Sequence, residues 1–169
     1  MINIKIKKQL NIDFLKKVAT VLLLMHIALT LHKAFLSPER MLFREGLVLQ
    51  KMKYGYFSKE LTNLCPFSTI VNYFNNYEVF GFRYWFINVW GNILFFLPYG
   101  FLGPLVFDKI RNKFGIVLFA LAIPMGIEVL QEIFSLGIYD VDDIILNFFG
   151  ILVGYVFLIL FLRRIEDFQ

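Results

Sequence analysis

One cysteine and two histidines are all that a chain of 169 residues carries of the commonest metal-binding side chains. A single Cys65 excludes an internal disulfide and leaves a thiolate metal cluster without ligands. Cysteine use therefore says nothing about the compartment. The sequence also lacks an H-E-x-x-H pair, a glycine-rich phosphate loop and a Ser-His-Asp set, so the commonest hydrolase and nucleotide-binding signatures are missing. Charge is scarce: 18% of residues are Asp, Glu, Lys or Arg, against about 25% in soluble domains. The net charge is +4, but the basic residues gather beside apolar runs. They read as membrane-topology signals, and nucleic acid is not expected as a partner.

What fills the chain is apolar. Hydrophobic residues make up 59%, aromatics 18%, and the mean hydropathy is +0.67. Soluble domains hold about 45–50% apolar residues, so the expectation is a single-domain, all-α integral membrane protein whose first partner is the lipid bilayer. A span takes roughly 20 mostly apolar residues, and four segments qualify, at 18–36, 88–107, 114–134 and 144–162. The first is the weakest, being interrupted by His26, His32 and Lys33. Its basic lead-in (1–17) resembles a signal peptide, yet no small-x-small cleavage site follows the apolar run, which favours an uncleaved anchor. Neither an internal repeat nor a low-complexity stretch is visible.

Lys5, Lys7, Lys8, Lys16, Lys17, Lys109, Arg111, Lys113, Arg163 and Arg164 fall on one side if the spans alternate; these are ten of the 17 basic residues. The 135–143 loop has three Asp and no Lys or Arg. Positive-inside therefore predicts four transmembrane helices, N-in and C-in, with a long extracellular loop (37–87) after the first. The stretch FREGLVLQKMKYGYF in that loop suits an amphipathic piece lying along headgroups.

Polar groups inside lipid are costly and default to functional candidates. Asn92 and Tyr99 share a stripe of the second span. Glu128, Gln131 and Glu132 share a face of the third, at i, i+3 and i+4. Asn147 opens the fourth. At a rise of about 1.5 Å per residue, Asn92 lies about 6 Å and Glu128 about 9 Å below the outer helix ends, with Asn147 about one turn down. All converge beneath Asp140, Asp142 and Asp143, which looks like the acidic lip of an outer-leaflet site. Glu128 is the candidate catalytic acid or base. Asn92, Tyr99, Gln131, Glu132 and Asn147 are binding candidates, and Trp85, Trp90 and Tyr99 are candidates for stacking on a ligand. Glu132 is near enough to the interface to reach water. Asp140, Asp142 and Asp143 are candidate ligands for a divalent cation such as Mg²⁺ or Ca²⁺, although Asp142 or Asp143 equally suits a helix N-terminus. The second to fourth spans hold no Lys or Arg, so Glu128 is expected to be protonated, to meet a bound cation, or to hydrogen-bond Asn92 or Asn147. Gly150 and Gly154 have the small-xxx-small spacing of close helix packing. Pro98 and Pro124 are expected to kink their helices.

Three stretches together resemble the VanZ-like family of small bacterial membrane proteins. They are Asn63-Leu-Cys-Pro66-Phe67-Ser-Thr-Ile, then GNILFFLPYGFLGP from Gly91 to Pro104, and then Glu128-x-x-Gln131 followed by DVDDIILNFFGILVGY from Asp140 to Tyr155. The chain departs from the pattern at Ile138, where many relatives carry an arginine soon after the glycine matching Gly137. The resemblance implies a bacterial plasma-membrane protein linked to lowered susceptibility to glycopeptide antibiotics, teicoplanin above all. Three mechanisms follow as expectations. A binder would meet a lipoglycopeptide or lipid-linked cell-wall precursor at the outer leaflet. A membrane-embedded, metal-assisted enzyme would act on a lipid headgroup or isoprenoid-linked substrate. A small transporter component would need an oligomer or partner.

Overall fold

Backbone polar groups in a lipid-like environment must be satisfied within the segment, so long apolar runs fold as helices. The computed structural model describes residues 12–56, 58 and 61–167, and these contain helices and no strand. Lys5, Lys7 and Lys8 of the basic lead-in lie outside the described residues. Six α-helices follow one another: α1 (Ile12–Leu31), α2 (Pro38–Tyr54), α3 (Ser68–Asn75), α4 (Tyr77–Val106), α5 (Lys113–Ile133) and α6 (Val141–Asp167). Among the described residues, four stretches are long and apolar enough to cross a membrane: Asp13–Tyr54, Gly81–Val106, Lys113–Ile133 and Val141–Ile165. Their outward faces carry large exposed side chains such as Leu24, Met25, Leu118 and Leu160, as expected where lipid is the solvent.

The first span departs from its expected limits. Regular α1 stops at Leu31, and residues 32–36 form a wide π-helical turn. Ser37 is extended and Pro38 starts α2, where its missing N–H costs nothing. The long loop is thus largely folded, into α2, α3 and the start of α4. The amphipathic stretch is mostly helical in α2, which buries Leu47 and Lys51 and leaves Phe43, Leu49 and Met52 exposed.

Lys16 meets Asp108 and Lys33 lies over Phe95, so α1 and α4 are antiparallel. A Cβ on Gly150 would strike the Ile93 carbonyl, and one on Gly154 the Leu97 carbonyl. This in-step pairing makes α4 and α6 parallel neighbours at backbone contact, the role expected for small-xxx-small glycines. Gly100 makes the reciprocal approach from α4 to Ile151. The buried core beside this seam is Leu23, Phe96, Tyr99, Ile116, Ala120 and Ile151. Helical geometry continues through Pro98, Pro104 and Pro124; the non-helical residue inside α4 is Gly81, at φ 78 and ψ 160.

Candidate functional site

Six elements, α1, the π-turn, α2, α4, α5 and α6, close around a small cavity near the α5–α6 loop. Its volume is about 60 Å³, room for about one or two water-sized groups. Asn92 comes from α4, Glu128 and Gln131 from α5, and Asp143 and Asn147 from α6; these sequence-selected residues do share one space. Phe95 and Phe96 add aromatic wall. Lys33 from the π-turn and Arg40 from α2 also line it.

Each polar group is only partly engaged. Asn92 Nδ2 donates to Asp143 Oδ1 at 2.9 Å. The Asp140 N–H donates to Glu128 Oε2 at 3.2 Å. Gln131 Nε2 donates to the Ala34 carbonyl at 3.1 Å, tying α5 to the π-turn. Arg40 Nη1 donates to the Leu136 carbonyl at 3.0 Å. Asn147 is 5% exposed, and its Oδ1 is buried with no hydrogen-bond partner. Ion pairs among the described residues are Lys16–Asp108, Lys51–Glu132 and Arg111–Asp108. Lys33, Arg40, Glu128 and Asp143 thus form no direct ion pair with one another.

Above the cavity sits a hydrogen-bonded cap, and it explains the Asn63–Phe67 element. The chain at Asn63 runs parallel to that at Asp140 in an isolated bridge, with Asn63 N–H to the Tyr139 carbonyl at 2.9 Å and Val141 N–H to the Asn63 carbonyl at 3.0 Å. Asn63 Nδ2 donates to Asp140 Oδ1 at 2.7 Å, while its Oδ1 accepts from Cys65 N–H at 3.1 Å and Ser68 Oγ at 2.6 Å. Phe67 takes a left-handed turn at φ 68. The N–H groups of Phe67, Thr69 and Ile70 then converge on Asp142, at 2.5, 2.7 and 3.1 Å. Asp142, 0% exposed, caps α3 from a distant part of the chain, supplying acceptors that the first turn of a helix needs. Tyr73 of α3 is half-buried beside Tyr84. Burial first, then Tyr84, Asp143 and Asp140, push its phenol above the usual tyrosine range, so it stands neutral next to the carboxylates.

A second tie holds α2. Lys51 Nζ donates to Glu132 Oε2 at 2.9 Å, to the Glu132 carbonyl at 2.8 Å and to the Gly137 carbonyl at 3.1 Å. Arg40 passes over Gly137 so closely that a Cβ there would lie 2.7 Å from Nη1.

Several expectations are revised by this geometry. Glu132 does not reach water: it is 0% exposed and paired with Lys51. Tyr99 is not placed to stack on a ligand, because it is 4% exposed in the core and its hydroxyl donates to Thr30 Oγ1 at 2.8 Å. Trp85 packs on Phe74 and Phe82, while Trp90 is exposed. The three aspartates do not form a divalent-cation cage. Asp142 is filled by backbone donors, and Asp140 accepts from Asn63, Thr69 and the Asp142 N–H. Among the described residues no group of three or more His, Cys, Asp or Glu is arranged to hold a metal. Sequence reasoning missed Lys33, Arg40 and Lys51. Arg40, Leu47 and Lys51 stand at i, i+7 and i+11, one face of a helix, and that spacing was the available signal.

The fold and cavity together define a multi-pass helical membrane protein with a charged cavity under a hydrogen-bonded cap. The chain belongs to the VanZ/LLP1 family, whose model matches residues 18–162. No curated protein and no solved structure matches it.

Proposed function

We propose that this family member sits in a bacterial plasma membrane with both termini inside and its cavity near the outer leaflet. There it holds the charged group of an amphiphile, either a lipid-linked cell-wall precursor or a lipoglycopeptide of the teicoplanin type. The observation that carries this reading is the cavity itself: Lys33, Arg40, Glu128 and Asp143 line one space without pairing. Acidic and basic side chains that line one space without a direct ion pair offer complementary partners to a charged ligand. The outer placement is supported by Lys16, Lys17, Lys109, Arg111, Lys113, Arg163 and Arg164, which gather at the other end of the bundle. A cavity of about 60 Å³ suits one small charged group with the rest of the molecule outside, which favours binding over passage of a headgroup.

A second reading has one observation behind it. Glu128 and Asp143 face the same cavity, as a general acid–base pair would, so product analysis belongs in the test. Teicoplanin susceptibility is measured in a sensitive Gram-positive host expressing the native chain, Glu128→Gln, Asp143→Asn, Arg40→Gln or an empty vector at matched membrane levels. The proposal expects protection by the native chain and its loss in the variants. A native chain that gives no protection refutes the antibiotic part of the reading. A modified lipid or drug found only with the native chain replaces binding by catalysis.

A further inference from the structure

We infer that the cavity and its mouth form a zwitterion site: a primary ammonium group enters the cavity against Glu128, Asp143 and Asn147, and the anionic group of the same ligand stays at the mouth, against the half-buried Arg40 and the exposed Lys33. The inference rests on the cavity being the ligand site proposed above, and not on any effect of a drug.

Three observations point the same way. The acidic groups come from one side of the fold, Glu128 on α5 and Asp143 on α6, whereas the basic groups come from the π-turn and α2. A ligand between these elements meets acceptors on one hand and donors on the other. Next, the acceptor set is incomplete. Glu128 and Asp143 each have one oxygen without a hydrogen bond, and Asn147 Oδ1 is buried with no partner. The unmatched buried acceptor of Asn147 is costly, and an ammonium group, with three N–H donors, can satisfy it together with the two carboxyl groups beside it. A quaternary ammonium has no N–H and cannot. Last, the aromatic wall already holds a cation: Lys33 Nζ lies 4.3 Å from the centroid of Phe95, the geometry of a cation–π contact. On the basic side, Arg40 spends one hydrogen bond on Leu136 and keeps its remaining N–H donors for a phosphate or carboxylate. A phosphoethanolamine headgroup and an amine-bearing lipoglycopeptide share this chemistry.

Purified protein in detergent is titrated with short-chain phosphatidylethanolamine, phosphatidylcholine and phosphatidylglycerol, and with a lipoglycopeptide whose amine is free or acetylated. Binding is read by calorimetry and by the ligand-dependent rise in thermal unfolding temperature. The expected result is at least tenfold tighter binding of the free-amine member of either series. That preference should vanish in Asp143→Asn and Glu128→Gln, and Arg40→Gln should weaken binding while Arg40→Lys restores part of it. Preference confined to the lipid series names a lipid ligand, and preference confined to the drug series names the drug. Should both carboxylate variants fail to fold, the half-buried Arg40 pair and the acetylated ligand still decide. Equal binding of ethanolamine, choline and glycerol lipids together with indifference to acetylation overturns the inference. Amine-selective binding without protection from teicoplanin leaves it standing and removes only the antibiotic reading.

Discussion

Lys51 touches nothing in the cavity, yet its removal is expected to disable the site. Its side chain is 1% exposed and that of Glu132 is 0% exposed. All three ammonium hydrogens are used, on Glu132 Oε2, the Glu132 carbonyl and the Gly137 carbonyl. Lys51→Met takes the cation from a buried carboxylate, a change that costs about 3–5 kcal/mol when such a pair is broken from one side. Lys51→Met with Glu132→Gln removes both charges. The Glu132 carbonyl keeps the Ser135 N–H at 3.2 Å and the Gly137 carbonyl loses its Lys51 donor, so the double variant should lie about 1–3 kcal/mol below native, the cost of one unmatched acceptor. Unfolding free energies from detergent denaturation, taken around the double-mutant cycle, should give a coupling of about 2 kcal/mol or more. Because α2 carries both Lys51 and Arg40, the single variant should also release Arg40 from Leu136, seen as faster hydrogen exchange along α2. A single variant as stable as native, or a double variant as unstable as the two singles added, refutes the reasoning that this pair latches α2.

Asp142→Ala removes the acceptor of three N–H groups. It should cost about 3 kcal/mol or more and expose residues 67–70 to hydrogen exchange, while Asp142→Asn, able to accept at one oxygen, should fall between. Gly154→Leu drives a side chain into the Leu97 carbonyl, and a destabilisation of about 3 kcal/mol or loss of the folded protein is expected in the same denaturation assay. Cys65 is exposed, so a membrane-impermeant maleimide should label it in intact cells. Lys113→Cys in a Cys65→Ser background should label only after permeabilisation, and labelling of both in intact cells would refute the N-in, C-in arrangement.

The three later spans were legible because their apolar runs are long and their ends carry charge. Their polar residues converged as expected because helical spacing fixes both face and depth; Asn92, Glu128 and Asn147 needed nothing more. The cap was not legible in the same way. Asp142 serves N–H groups more than seventy positions earlier, and Asn63 pairs with Asp140 across a similar distance. Such contacts leave no periodicity, so three adjacent carboxylates look alike although their environments differ. Asp142 is spent on backbone, Asp140 on the Asn63 bridge, and Asp143 alone of the three lines the cavity.

This division bears on how the site works. With Asp140 and Asp142 hydrogen-bonded within the cap, the ionisable side chains that line the cavity itself are two acidic, Glu128 and Asp143, and two basic, Lys33 and Arg40. Arg40 is delivered by α2, which is held by Lys51–Glu132 and by Arg40 itself, and Lys33 by the π-turn just before it. Occupancy by an anionic group should therefore tighten α2 onto the α5–α6 loop, and hydrogen exchange along Pro38–Tyr54 should slow when ligand binds. If exchange slows only in α5 and α6, ligand reaches the carboxylates without engaging Arg40, and the basic half of the site has another role.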